Sequence, residues 1–231
     1  MSSYIIEGGK ALEGTVNISG SKNASLPIIA ASILNGGVSK LYNVPNIHDT
    51  QITLKILKIL GCKIDKKNGK IIIDSSKMNS HEIPDDLMRQ MRSSVVLAGA
   101  ILARFKNAKF SYPGGCDIGA RPIDLHLKAL KKLGIDIEEE SGYVKCRCDQ
   151  IIGNEIHLDF PSVGATENII LASVLAKRRN SSYKCCNGTR NTRFTKLFKQ
   201  NGSKSRRCRN KCYKNSRCKK IKRYKLQYNA R

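Results

Sequence analysis

The last 54 residues of this 231-residue chain, 178–231, contain no aspartate, no glutamate and no histidine. That excludes the mixed-charge surface of an ordinary soluble domain for this stretch. Nowhere does a run approach the roughly 18 apolar residues of a membrane-spanning helix. The opening Met1-Ser2-Ser3-Tyr4 has neither the basic nor the apolar region expected of a secretory signal. With no export signal expected, the nine cysteines point to reduced thiols in a cytoplasm and not to a disulfide scaffold.

What is present divides at Lys177. The first 177 positions hold 22 basic and 18 acidic residues, a net charge of +4. The other 20 basic residues crowd into 178–231, together with five of the nine cysteines. An apolar share of 40% suffices for a core, and the length allows one large domain or two small ones. The first part has the make-up of a soluble globular protein; the second is a polycation.

Two stretches, 54–64 and 127–137, repeat at an offset of 73 residues. In each, apolar residues every three or four positions run to Gly61 or Gly134, the pattern of a helix stopped by a C-terminal glycine. A turn at Asn68-Gly69 or Ser141-Gly142 then joins two short runs, which predicts a hairpin. Further helix is expected over 24–34 and 87–104, with strands at 38–43 and 109–112 between the helices. The unit is therefore helix, strand, helix, hairpin, an α/β repeat whose sheet must bury itself against its own helices. A third unit opens with a strand at 155–160 and a helix at 166–177.

Two loops carry candidate chemistry. Pro113-Gly-Gly-Cys-Asp-Ile-Gly119 places three glycines within seven residues, so the backbone can turn tightly and approach a ligand. Cys116 in that loop, near Arg121, is a candidate for a lowered thiol pKa and for acid–base or covalent work. A glycine-rich turn with an incidental cysteine is the simpler reading of composition alone. Ser19-Gly-Ser-Lys-Asn-Ala24 is a small-residue loop at a helix start, with Lys22 placed to meet an anion. On spacing alone, capping by Ser21 or Asn23 beside a solvated Lys22 is the commoner explanation. Cys146 and Cys148 alternate on one face of a strand, and His81 and His157 have no partner pattern.

The segments 19–27, 91–94, 113–126 and 162–168 occur together in an order and at spacings that resemble the amino-terminal part of the UDP-N-acetylglucosamine enolpyruvyl transferases, the 1-carboxyvinyltransferases. The resemblance runs from about Tyr4 to Lys177, and the cysteine loop separates it from the related shikimate-phosphate enzymes. It implies an α/β fold of the inside-out barrel type: two similar domains, each of three such repeats, with the active site between them. In that frame 1–18 contributes strands to a second domain whose remainder is absent here, and 19–177 is an incomplete first domain. The implied reaction moves enolpyruvyl from phosphoenolpyruvate to the 3-hydroxyl of UDP-N-acetylglucosamine and releases phosphate, the first committed step of peptidoglycan precursor synthesis in the bacterial cytoplasm.

By the same resemblance Cys116 is the catalytic thiol that protonates C3 of phosphoenolpyruvate and can form a covalent adduct with it. Lys22, Asn23, Arg92 and Arg121 are implied to meet phosphoenolpyruvate. Arg92, Arg121, Pro122, Ile123, Asp124, Leu125, Ser162, Val163 and Gly164 are implied to hold the UDP-sugar, largely through backbone groups. Phe160 stands where some members carry a lysine, and His126 falls in the UDP-sugar segment without an assigned role. The resemblance implies no metal or organic cofactor, and as partners only the two small-molecule substrates. The family's aspartate base and further arginines come from its second half, so turnover by these residues alone is not expected.

At face value the tail interleaves lysine and arginine with Tyr183, Phe194, Phe198, Tyr213, Tyr224 and Tyr228, the phosphate contacts and stacking faces of a nucleic-acid-binding arm. Cys208, Cys212 and Cys218 fit no standard zinc spacing and have no histidine beside them. The preferred origin is a one-nucleotide frameshift near Lys177. A-rich codons for 177–191, displaced by one nucleotide, spell Lys-Gly-Gly-Thr-Leu-Leu-Ile-Asn-Ala-Ala-Met-Glu-Pro-Glu-Ile. The continuation spells an acidic helix, a glycine turn and a strand, the rest of the third unit. As it stands, 178–231 has too few aliphatic residues and too many repelling charges to order itself, and is expected to be disordered.

Overall fold

The computed structural model describes residues 3, 5, 7–9, 11, 13–114, 123–177, 180–185 and 197–198, and the backbone of 206–208, 212–215 and 226–229. The first unit runs α1 (Lys22–Ala31), β1 (Val38–Tyr42), α2 (His48–Ile59), then the hairpin β2 (Lys63–Lys67) and β3 (Lys70–Asp74). The second runs α3 (Asp85–Gln90), a 3-10 turn (Arg92–Val95), α4 (Val96–Phe105), β4 (Asn107–Ser111), α5 (Asp124–Lys132), β5 (Asp136–Glu140) and β6 (Tyr143–Arg147). The third holds β7 (Glu155–His157), α6 (Val163–Ser173), β8 (Asn180–Tyr183), β9 (Arg206–Cys208) and β10 (Cys212–Asn215), followed by β11 (Leu226–Asn229).

Three mostly apolar helices, buried on every side over most of their length, form the centre. All of 24–31 on α1, 96–103 on α4 and 165–173 on α6 is buried, as a helix without a polar face must be. By contrast α2 and α5 bury one stripe, Ile52, Leu54, Ile56 and Leu57 or Leu125, Leu127 and Leu130, and turn their lysines outward. The sheets lie outside the helices, which is the inside-out arrangement expected. Arg104 fastens the first two units together, donating from Nη1 to the Ile33 carbonyl at 2.7 Å and from Nη2 to the Ser75 carbonyl at 2.6 Å.

Each unit orders its strands alike: β1-β3-β2, β4-β6-β5 and β8-β10-β9, all antiparallel. The two complete hairpins turn on residues with positive φ, Asn68 (50°) with Gly69 (67°) and Ser141 (51°) with Gly142 (81°). Two consecutive left-handed residues match the right-handed twist of the flanking strands, which is why a glycine recurs at the second position. A parallel neighbour flanks the first strand of each antiparallel trio. It is β7 beside β8, the single bridge Glu82–Lys109 beside β4, and β11 beside β1.

Four expectations change. The helix expected over 87–104 is broken at Met91, whose φ of −146° and ψ of 126° are extended. The Ser94 hydroxyl donates to the carbonyls of Met91 (2.5 Å) and Met88 (3.1 Å), a local bond that competes with the helical ladder. The helix expected to reach Lys177 stops at Ser173, and the Lys177 N–H turns to the Ile151 carbonyl at 3.2 Å. Residues 1–18 form no strand where they are described, and Ile5, Val16 and Ile18 are exposed; a strand needs a ladder partner, and none of the described residues supplies one. Finally, the disorder expected across 178–231 is not what 206–208, 212–215 and 226–229 show. They pair as strands, with Tyr213 opposite Ser182, Cys212 opposite Cys208 and Leu226 opposite Ser39. Ladder bonds come from the backbone, so the edges of β8 and β1 can seat a basic segment. The third sheet, β7-β8-β10-β9, therefore has the strands its unit requires.

Candidate functional site

The central helices begin together. The first turns of α1 (Lys22, Asn23, Leu26), of the 3-10 turn leading into α4 (Arg92, Ser93, Val95) and of α6 (Val163, Gly164, Glu167) line one cleft of about 540 Å3, with Ser162, His126 and Asp49. A helix start presents N–H groups that have no intrahelical acceptor, and the positive end of the helix dipole. On α6 the Ser162 hydroxyl accepts from Ala165 N–H at 3.3 Å and the Ser162 carbonyl from Thr166 N–H at 3.1 Å. The N–H groups of Val163 and Gly164 have no acceptor among the described residues. On α1, Ser25 N–H bonds the Ser21 carbonyl at 3.0 Å and no side chain caps the helix. The expected capping by Ser21 or Asn23 is therefore absent, and Lys22 is not merely solvated: its Nζ lies 2.7 Å from Asp49 Oδ2. The cleft thus holds two helix starts and two cations, the groups an anion can use, together with the carboxylates of Asp49 and Glu167.

The structure thus brings together Lys22, Asn23, Arg92, Ser162, Val163 and Gly164, six of the residues expected from the sequence. Ile123 joins the core, Asp124 is exposed at the start of α5, and Leu125 lines a separate groove of about 440 Å3 with Lys128 and His157. None of those three side chains enters the cleft. Cys116, Arg121 and Pro122 lie outside the described residues. Phe160 is exposed. His157, expected to lack a partner, stacks on Tyr183 with ring centroids 4.5 Å apart and pairs with Glu155 at 3.2 Å. Cys146 and Cys148 are both buried, but only Cys146 lies on β6; Cys148 is one residue past its end.

The sequence did not single out Asp49, Glu167 or Asn168. The last is a buried amide on α6, beside the buried Thr166 and Glu167, and such polar residues on a helix buried all round were the available signal. Asn168 Nδ2 lies 2.8 Å from His126 Nδ1. Burial, and after it the charge of Arg92, push the His126 pKa down to about 4, so the ring facing the cleft is neutral. Among the described residues no group of three or more His, Cys, Asp or Glu side chains could hold a metal, and no helix is long and apolar enough to cross a membrane.

The fold is that of the enolpyruvyl transferases. Solved structures with this fold include the enolpyruvyl transferase NikO from Streptomyces tendae, at a TM-score of 0.81 and 18% identity, covering 96% of this chain and 52% of that one. Another is EPSP synthase from Acinetobacter baumannii, at 0.70 and 20%, covering 96% and 50%. The family model for EPSP synthase (3-phosphoshikimate 1-carboxyvinyltransferase) matches residues 6–185, and the chain belongs to that family.

Within it, the chain is similar to curated proteins named for a different acceptor. UDP-N-acetylglucosamine 1-carboxyvinyltransferase 2 of Caldanaerobacter subterraneus subsp. tengcongensis is 55% identical over 176 residues, 76% of this chain and 42% of that protein. The protein of the same name from Clostridium tetani is 49% identical over 179 residues, 77% and 43%. UDP-N-acetylglucosamine 1-carboxyvinyltransferase of Oleidesulfovibrio alaskensis is 48% identical over 177 residues, 77% and 42%. The chain therefore spans less than half the length of these relatives. Nothing in these matches supports a nucleic-acid-binding role for the tail.

Proposed function

We propose that this chain forms the sugar-nucleotide-binding domain of a bacterial, cytoplasmic UDP-N-acetylglucosamine 1-carboxyvinyltransferase. The observation that carries the reading is the meeting of the open N-termini of α1 and α6 with Lys22 and Arg92 in one cleft. A diphosphate needs that combination: backbone donors fixed in place, and cations to balance its charge. The names of the relatives supply the sugar nucleotide and the carboxyvinyl group.

In the proposed chemistry the sugar 3-hydroxyl adds to C2 of phosphoenolpyruvate, its proton passing to the aspartate base that the family's second half contributes, while C3 takes a proton from the Cys116 thiol. Return of a C3 proton to the Cys116 thiolate, with departure of phosphate from C2, then restores the double bond. Lys22, Arg92 and Arg121 balance the phosphate and carboxylate charge. Val163 and Gly164 N–H groups hold the diphosphate, and Asn23 meets phosphoenolpyruvate beside Lys22.

Calorimetric titration of the 231-residue chain with UDP-N-acetylglucosamine tests the reading. Binding is expected, weakened at least about tenfold by Arg92→Ala, the loss of one charge-assisted contact. No heat from the unaltered chain, or an unchanged affinity in Arg92→Ala, would overturn it.

A further inference from the structure

Asn168 on α6 is 1% exposed, and its amide is spoken for at both ends. Oδ1 accepts from Gly99 N–H at 3.0 Å, and Nδ2 donates to the Val95 carbonyl at 3.0 Å. These backbone partners are a donor and an acceptor, so the amide has one orientation: flipped, it would set N–H against N–H and oxygen against oxygen. The second Nδ2 proton then points along the 2.8 Å contact to His126 Nδ1. Nδ1 must accept there, which leaves the imidazole proton on Nε2. Nε2 has no hydrogen-bond partner among the described residues, and His126 lines the cleft.

Two glycines let this arrangement form. A Cβ on Gly99 would stand 2.7 Å from the Asn168 carbonyl oxygen and from Oδ1, so only glycine allows α4 this close to α6. A Cβ on Gly164 would stand 3.0 Å from His126 Cε1 and 3.2 Å from Nε2, which sets the ring edge against the open turn of α6.

We propose that Asn168 is a positioning residue: it holds His126 in the Nε2–H tautomer, so that the imidazole presents a fixed, uncharged hydrogen-bond donor to the diphosphate of a sugar nucleotide in the cleft. The proposal rests on the reading of the cleft as a sugar-nucleotide site. A neutral donor adds a contact to an oxyanion without placing a second cation beside Arg92, and it works with the N–H groups of Val163 and Gly164. Burial of the ring supports the neutral form, with the pKa lowered to about 4.

Imidazole 15N–1H correlation spectra of the labelled 231-residue chain, with UDP-N-acetylglucosamine as probe, test it. The expected result is a bare Nδ1 and a protonated Nε2 at neutral pH, with the Nε2–H resonance moving on titration. In Asn168→Asp the proton is expected on Nδ1, with sugar-nucleotide affinity at least about tenfold weaker. His126→Gln, whose amide can place a donor near the Nε2 position, is expected to stay within about threefold of the unaltered affinity, whereas His126→Phe falls at least about tenfold. A proton on Nδ1 in the unaltered chain would overturn the inference whatever binds, and so would equal affinities for His126→Gln and His126→Phe. Absence of binding by the unaltered chain would instead overturn the sugar-nucleotide reading, with the tautomer still decided by the spectra.

Discussion

Lys22 Nζ rests 2.7 Å from Asp49 Oδ2 at the mouth of the cleft, with the lysine side chain 46% exposed and the aspartate 22%. The pair joins the first turns of α1 and α2, and it occupies the cation that an incoming anion would use. An exposed pair of this kind contributes only about 0–1 kcal/mol to stability, so its removal should be felt in binding. Asp49→Asn is expected to tighten phosphoenolpyruvate binding a few-fold, and Lys22→Ala to weaken it about tenfold or more, with urea midpoints nearly unchanged. Calorimetry beside urea unfolding reads both quantities. Weaker binding in Asp49→Asn would contradict the competition.

Gly99→Ala should be costly. The new methyl group would meet two oxygens of Asn168 at 2.7 Å, between the buried stretches 96–103 of α4 and 165–173 of α6. Overpacking of this sort costs about 1–3 kcal/mol. Gly8→Ala, with nothing within 4 Å of the new atom, is the control. Urea unfolding that ranks the two variants equally would contradict the close α4–α6 contact.

The pH dependence follows from His126. Its folded pKa is about 4 against an ordinary 6.5, because burial first and Arg92 second disfavour the imidazolium. Above pH 6.5 the ring is neutral folded or unfolded, and its contribution is complete. As pH falls below that value the unfolded chain takes the proton while the folded one does not, so stability drops until the folded ring protonates near pH 4. The loss approaches about 3 kcal/mol. Urea midpoints measured across this range should fall more steeply for the unaltered chain than for His126→Gln; parallel curves would count against a buried neutral ring.

Thiol reactivity should be graded by burial. Burial raises the Cys62 pKa to about 11 and that of Cys146 to about 12, so neither forms thiolate at neutral pH. Alkylation of the native chain at pH 8 should spare both, and should modify both once urea is added. Cys116, the proposed proton donor, is expected to react first and to be protected by phosphoenolpyruvate. Mass mapping that finds Cys146 labelled before Cys116 would oppose that assignment.

The proposed frameshift near Lys177 is decided by the encoding DNA. Codons that spell the second frame across 177–214 without a stop are expected. Codons that interrupt it would leave the basic tail as an evolved segment. The family match reaches residue 185, close to the proposed junction.

The repeat was legible because its signals are local: a 73-residue offset, apolar periodicity ended by Gly61 and Gly134, and turns at Asn68-Gly69 and Ser141-Gly142. Lys22, Arg92 and 162–164 were legible through resemblance, and their side chains or backbone do meet in the cleft. The break at Met91 was not, because it depends on where the Ser94 hydroxyl turns. Nor were Asp49 and the contact between Asn168 and His126, which join residues far apart in the chain. The strands at 206–208, 212–215 and 226–229 were missed because composition reports on side chains, while the seats beside β8 and β1 are made of backbone.

On the proposed function, the cleft at the helix starts receives the nucleotide and the polycationic tail does not. The most direct test is a backbone 15N–1H titration of the 231-residue chain with UDP-N-acetylglucosamine. Saturable shifts are expected at the amides of Asn23, Arg92, Val163 and Gly164, persisting at salt concentrations that screen exposed charges. Shifts confined to 206–229 that vanish on adding salt would contradict it.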